Sequence, residues 1–405
     1  MYFGYKLTGV IGEGTYGQVF KACKGQELDH EPWIDFGPAI YAVKRQKAQA
    51  KDHHHHQNST AAGDVPETSF SVTLIREIKL LRELHHPNIV QLVDCLLGDD
   101  DMTTLVFEYA EFEMMKMIDF YKQNERAIPD YTIKSFMYQS LRGVQYLHEN
   151  WVVHRDLKPD NILIVGGETS RRGSVVLADL GLARIFRNPT LPLGKVDKVV
   201  VTLWYRAPEL LLGSLNYTPA IDMWSMGCIF ASLLLAKRNK TRALFQGINK
   251  DGAQNPFQAD QVDRIFRILG PPNPQDWPEV VSMEQYKNLV PKKRQPGVDL
   301  RSEFPDISES CYNLLSKLLE LNPAKRFSAS TALQHPYFTT SPRPGENSLD
   351  DPNARGRDAL FRQFEQQSTM QGVKPLEFAQ NQTQNDQIES RKLALRQERT
   401  KRQRV

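Results

Sequence analysis

His154-Arg155-Asp156-Leu157-Lys158-Pro159-Asp160-Asn161 places an acid, an ammonium and an amide close together, and Asp179-Leu180-Gly181 follows 18 residues after Asn161. Ala207-Pro208-Glu209 comes next in the chain. Phosphoryl transfer asks little covalent help of a protein. It needs charge neutralised on migrating oxygens and a hydroxyl held in position. A carboxylate takes the hydroxyl proton, an ammonium steadies phosphate, and carboxylate and amide oxygens are hard ligands that suit magnesium better than zinc. Taken singly, these Asp and Asn residues are ordinary turn and cap formers. Their order carries the chemistry.

Upstream, Gly12-x-Gly14-x-x-Gly17-x-Val19 is ambiguous, because dinucleotide folds write G-x-G-x-x-G as well. There the last glycine opens a helix, whereas Gln18-Val19-Phe20-Lys21-Ala22 continues as a strand and puts the glycines in a hairpin. Ala42-Val43-Lys44 ends another strand with an ammonium. Strands are expected at 6–11, 18–24, 40–45, 89–97 and 103–109. One helix interrupts them at 70–84, where Val72, Ile75, Ile78, Leu81 and Leu84 share a face and Glu77 offers a carboxylate. The stretch 47–66, with His53-His54-His55-His56, has almost nothing to bury and reads as a loop.

Downstream the pattern is mainly helical, at 132–149, 221–236, 260–269 and 308–321, with Asn322-Pro323 as a stop. Beyond Phe338 the chain is rich in Gln, Asn, Pro and charge. The boundaries read from this are 1–109, 110–338 and a low-complexity tail at 339–405. Lys plus Arg number 51 against 48 Asp plus Glu in 405 residues, which excludes a body built to coat nucleic acid or an acidic membrane. The surplus sits in the last 16 residues, with seven basic groups and one acid. That end is either a nuclear address, a nucleic-acid contact or a solvated terminus. Cys23, Cys95, Cys228 and Cys311 form no C-x-x-C pair, so a reducing compartment and core roles are expected. No apolar run is long enough to span a bilayer, and no signal peptide opens the chain.

The ordered set from Gly12 to Glu209 resembles the eukaryotic protein kinases over residues 1–338. The resemblance implies an α+β bilobal fold, with a small antiparallel sheet lobe carrying one regulatory helix and a larger, mainly helical lobe. It implies ATP and Mg2+, with Asp156 as the base, Lys158 and Thr202 beside it, and Asn161 and Asp179 as metal ligands. Ile11, Gly12, Gly14, Gly17, Val19, Ala42, Lys44, Glu77, Phe107, Glu108 and Ala110 become the ATP site. In that site Phe107 guards the back of the adenine pocket, and Glu108 and Ala110 offer backbone hydrogen bonds to the base. Leu180 stands where the phenylalanine of the Asp-x-Gly triplet is usual, which bears on inactive packing and not on metal binding.

Gly12-Glu13-Gly14-Thr15-Tyr16-Gly17, Ser71-Val72-Thr73-Leu74-Ile75-Arg76-Glu77 and Val201-Thr202-Leu203-Trp204-Tyr205-Arg206 narrow the resemblance to the cyclin-dependent kinases. A cyclin partner is then expected, gating the swing of the Arg76 helix. Val200, Val201 and Arg206 resemble a proline-accepting pocket, so Ser/Thr-Pro substrates follow. Asp197 occupies the position of an activating phosphothreonine, with one negative charge in place of roughly 1.5 to 2. Arg76, Arg155 and Arg184 stand at the family's three anchors for that group, and guanidinium forks pair with carboxylates. Thr15 and Tyr16 match inhibitory phosphorylation sites of relatives. Glu209, Arg326 and Asp222 match buried supports.

Asp197, Asn150-Trp151, Asp-Leu-Gly and Asn255-Pro256-Phe257 are together most similar to the Mediator kinases, the cyclin-dependent kinase 8 branch. The resemblance implies cyclin C, Mediator kinase-module subunits, the nucleus, and transcription proteins with the RNA polymerase II C-terminal domain as substrates. Relatives carry a longer segment before the glycine loop, whereas eleven residues precede Gly12, so either the partner grip differs or the start is incomplete. The rival readings are another cyclin-dependent transcriptional or cell-cycle kinase, a kinase-shaped scaffold without turnover, and nucleic-acid binding through the tail.

Overall fold

The computed structural model describes residues 4–14, 17–26, 34–47, 72–97, 102–167, 169–186, 203–214, 216, 218–236, 243–247, 256–289, 299–352 and 358–371. The chain divides into two compact units, the first 1–75, 91–109 and 365–405, the second 76–90 and 110–364.

The first unit is an antiparallel sheet of β1 (Tyr5–Gly14), β2 (Gly17–Gln26), β3 (Ile34–Lys47), β4 (Leu92–Leu97) and β5 (Met102–Glu108), ordered β1-β2-β3-β5-β4. Alternation along the strands sorts the side chains. Tyr5, Val10, Phe20, Ala22, Val43 and Val106 form one buried cluster. The β1–β2 hairpin closes at the pair Gly14↔Gly17, so the glycine motif leads into a strand, as its flanking residues predict. Gly17 has φ 147°, a conformation that side chains rarely adopt.

Helix α1 (Val72–Glu83) occupies the expected span with a different buried face. Leu74, Leu80, Leu81 and Leu84 are buried together with Glu77, whereas Ile75 is 55% exposed. Positions 74, 77, 81 and 84 keep helical spacing too, and the carboxylate among them hides the stripe from a hydrophobicity reading. Residues 76–90 group with the second unit for a specific reason. Asn88, Ile89 and Val90 run along β9 (Val175–Leu177), with Leu177 N donating to Asn88 O (2.9 Å) and Val90 N to Leu177 O (2.9 Å).

The second unit continues through β6 (Phe112–Glu113), α2 (Met114–Gln123), α3 (Asp130–Glu149), β7 (Val152–Val153), β8 (Ile162–Ile164), β9 and β10 (Arg184–Ile185). It then runs through α4 (Pro208–Leu211), α5 (Ala220–Leu235), α6 (Pro256–Leu269), α7 (Tyr286–Leu289), α8 (Leu300–Glu303), α9 (Glu309–Leu318), α10 (Ala329–Leu333), α11 (Pro336–Thr339) and the part of α12 (Ala359–Gln371) up to Phe364. Strands β6, β8 and β9 form a small sheet, and β7 pairs with β10. Helix α5 is apolar on nearly all sides, as befits a central helix, and packs on α3 and α9. Among the described residues no helix is long and apolar enough to cross a membrane. Cys228 and Cys311 are buried, Cys23 and Cys95 partly so, and all four are free thiols.

Packing does not stop at Phe338. Ser348, Leu349, Phe361 and Phe364 are buried, and the second unit reaches Phe364. Buried Gln139 donates to the carbonyls of Gly345 (3.0 Å) and Glu346 (3.0 Å), and Arg172 Nε meets Asp350 Oδ2 at 3.0 Å. The expected tail from 339 therefore begins as a packed strap. Its polar composition disguises single residues that reach the core at irregular spacing.

Candidate active site

In the first unit, the strand register gathers the nucleotide-site candidates. Val19 lies opposite Lys44, Lys44 opposite Leu105, and Ala42 opposite Phe107. Residues directly opposite in an antiparallel pair share a face. Gly12, Val19, Ala42, Lys44 and Phe107 therefore share one face, and Val10, Phe20, Val43 and Val106 share the other. Ile11 is the extra residue of a bulge between Val10↔Phe20 and Gly12↔Val19. A Cβ at Gly12 would meet only Val19, 3.8 Å away, so its glycine answers no crowding inside the sheet and leaves the backbone open to a neighbour. Glu108 donates its amide to Gln91 O (3.3 Å), and Ala110 is half-buried.

The second unit builds the catalytic loop. Helix α3 ends at Glu149, Trp151 turns the chain at φ 60°, and β7 leads into His154. Arg155 has φ 72°, a strained conformation held by its surroundings. Asp222, in the first turn of α5, does the holding. Its Oδ2 accepts from His154 N (2.9 Å) and meets His148 Nε2 (2.8 Å), and its Oδ1 accepts from Arg155 N (2.9 Å). The His154 ring reaches Ala178 O at 3.0 Å.

Asp156 follows, 8% exposed. Its Oδ2 accepts from Lys158 Nζ (3.1 Å) and Asn161 Nδ2 (3.0 Å), and Asn161 Nδ2 also donates to Asp156 O (2.7 Å). With its amide nitrogen so engaged, Asn161 has its side-chain oxygen for a cation. The hairpin β8–β9 brings Asp179 beside it, since Ile162 pairs with Leu177 and Ala178 N donates to Asn161 O (2.9 Å). Asp179 has φ 62° and leads into a turn in which Leu180 is buried. One carboxylate and one amide oxygen fit a hard divalent ion. A Cβ on Gly181 would lie 3.3 Å from Asp179 Oδ1 and 3.5 Å from Glu77 Oε2, so Glu77 also stands at this corner.

Arg155 Nη1 donates to Leu182 O (3.1 Å), and Arg184 pairs with Val153 across β10–β7. Arg76 lies on α1, half-buried. Arg206 lines a cavity with Arg155, Asp156, Leu157, Lys158, Tyr205 and Ser225. Burial pushes the Arg206 guanidinium down, opposed by the nearby Asp156. Asp197, Val200, Val201 and Thr202 lie outside the described residues, as do Thr15, Tyr16, His53–His56 and the basic end. Three contacts escaped the sequence reading: His148 on Asp222, His154 on Ala178, and Ser225 Oγ donating to Tyr205 O (2.9 Å). Each is a long-range pair of common residues with no spacing rule to expose it.

Burial pushes the Asp222 carboxyl up, but the His148 hydrogen bond, the charges of His148 and His154 and the Arg155 amide outweigh it and hold the group below the ordinary value. A depressed carboxyl contributes stability that is complete above the unfolded value, about 3.9, and is lost as pH falls through the folded one. Thermal unfolding of Asp222→Asn should lose less midpoint than the unmodified protein as pH drops below about 4. Parallel curves for the two proteins would contradict this.

Residues 5–338 match the protein kinase domain family. Cyclin-dependent kinase E-1 of Arabidopsis thaliana is 44% identical, covering 85% of this chain and 68% of that protein. Probable cyclin-dependent kinase 8 of Dictyostelium discoideum is 41% identical over 86% of this chain and 84% of its own. Serine/threonine-protein kinase srb10 of Schizosaccharomyces pombe is 39% identical over 83% and 86%. With the loop from His154 to Asn161 built around a bonded Asp156 and the family matched over most of the chain, the protein belongs to the serine/threonine protein kinases, in the group of cyclin-dependent kinase 8, Ssn3 and Srb10.

Proposed function

We propose that the chain, paired with a cyclin, transfers the γ-phosphate of magnesium-ATP to Ser/Thr-Pro sites with Asp156 as the base. The observation that carries this is the Asp156 carboxylate itself, nearly buried and hydrogen-bonded by Lys158 and Asn161. Those bonds occupy Oδ2 and leave Oδ1 for the substrate hydroxyl, whose proton it takes as the oxygen attacks phosphorus. Lys158, an ammonium beside the base, steadies the migrating phosphate. Asn161 and Asp179 would hold magnesium, which when bound neutralises phosphate oxygens. Lys44 grips the phosphates with Glu77 steadying it. Ile11, Val19, Ala42 and Phe107 hold the base, and the backbones of Glu108 and Ala110 read its edge.

Asp197 orders the activation segment through Arg76, Arg155 and Arg184, and Thr202 supports the catalytic loop. Val200, Val201 and Arg206 accept the substrate proline, which brings no N–H to satisfy. The relatives' names support a cyclin partner. We extend that to cyclin C, the Mediator kinase-module subunits and a nuclear location, with the RNA polymerase II C-terminal domain as a substrate. The test is co-purification with candidate cyclins, followed by transfer to a Ser-Pro peptide and to its Ser-Ala counterpart. Slow transfer by the isolated chain, fast transfer by the complex and strong preference for Ser-Pro are expected. Equal rates with and without cyclin would overturn the gating, and equal rates on both peptides would overturn the proline pocket.

A further inference from the structure

Helix α12 reaches the connection between β5 and β6 through a single ring. Asp358 starts the helix, its Oδ1 accepting from Leu360 N (2.9 Å) as a cap, and its Oδ2 accepting from the buried Tyr121 hydroxyl of α2 (2.6 Å). Phe361 and Phe364, three apart and so on one face, are 3% and 4% exposed. Their ring centroids lie 5.8 and 5.3 Å from Phe112, and Phe364 lies 5.3 Å from Phe120. Phe112 is 2% exposed and pairs with Ile164. A Cβ on Gly166 would come within 2.6 Å of its ring, so strand, glycine and helix enclose it.

Only Tyr109, Ala110 and Glu111 separate Phe112 from Glu108, whose own position is set by pairing with Tyr41 and by its amide bond to Gln91. A connection this short takes its backbone orientation from its two ends. We propose that α12 is a positioning element for nucleotide binding, its Phe361 and Phe364 fixing Phe112 and thereby the main-chain groups of Ala110 that meet the adenine. The inference rests on the nucleotide site proposed above. It makes the strap beyond residue 338 part of the working enzyme, with neither ring touching ATP.

The test compares the full-length protein with Phe361→Ala/Phe364→Ala, Phe364→Leu and Asp358→Ala, reading binding of a fluorescent ATP analogue, KM for ATP, KM for peptide and the unfolding midpoint. The double variant should bind nucleotide about three- to tenfold more weakly, the range that weakening one hydrogen bond gives. Its peptide KM should stay unchanged, and Phe364→Leu, which keeps Phe361 and an apolar side chain at position 364, should lose much less. Asp358→Ala keeps both rings and loosens the anchor, and serves if the double variant does not fold; the same direction is expected. Unchanged nucleotide affinity in folded variants, or an equal loss in both KM values, would overturn the proposal. If the unmodified protein binds no nucleotide, it is the functional reading that falls.

Discussion

Asp156→Asn should lower kcat by about 100-fold or more, because it removes the acceptor of the substrate proton and replaces it with an amide that cannot take one. The loop should survive the change. Its backbone is anchored by Asp222 through His154 and Arg155, and the Asn161 bond to the Asp156 carbonyl does not depend on the side chain. ATP binding should therefore stay within about twofold, which marks a loss confined to the transition state. Initial-rate kinetics with the cyclin complex measure both. A variant with unaltered kcat would show that Asp156 is not the base, and one that no longer binds ATP would show that its role is structural.

Arg326→Leu should destabilise the fold by about 3–5 kcal/mol, the cost of stranding a buried charge. Arg326 meets Glu209 through both forks, at 2.7 and 3.0 Å, with side chains 0% and 3% exposed. Its other bonds go to the carbonyls of Ala220 (2.7 Å), Glu320 (2.8 Å) and Leu321 (3.2 Å), and its guanidinium lies over Trp224. Removing Glu209 as well should recover only part of the loss, because those carbonyls still lack their donor. The lesion sits close to the chemistry, since Ala220 opens the helix that carries Asp222. Scanning calorimetry should show the midpoint falling by about 10 °C. A fall under about 2 °C would mean that the site relaxes around the missing charge.

Local chemistry was easy to read in the sequence. Asp156, Lys158 and Asn161 are close in the chain, and the structure joins them by direct hydrogen bonds. The glycine hairpin was legible because Gln18 to Ala22 is strand-forming. The buried face of α1 was hidden by Glu77, an acid placed inward where periodicity counts only apolar residues. The strap was hidden differently. Gln139 reaches Gly345 and Glu346 across more than 200 positions, and Tyr131 donates to Asn347 O (2.8 Å), so backbone groups of a polar segment carry the packing. No local pattern encodes such bonds. The same limit applies to Asp222: its family position was recognisable, but the three donors around it come from a helix end and a loop far away in sequence.

We propose that one acidic loop in this chain moves phosphate from ATP to a protein hydroxyl. Labelled phosphate appearing on a Ser-Pro peptide, followed in a single turnover with the purified cyclin complex, measures that step itself. Phosphopeptide should form when magnesium is supplied and stop when it is chelated. Complex that binds ATP and peptide yet forms none would contradict the claim and leave a scaffold.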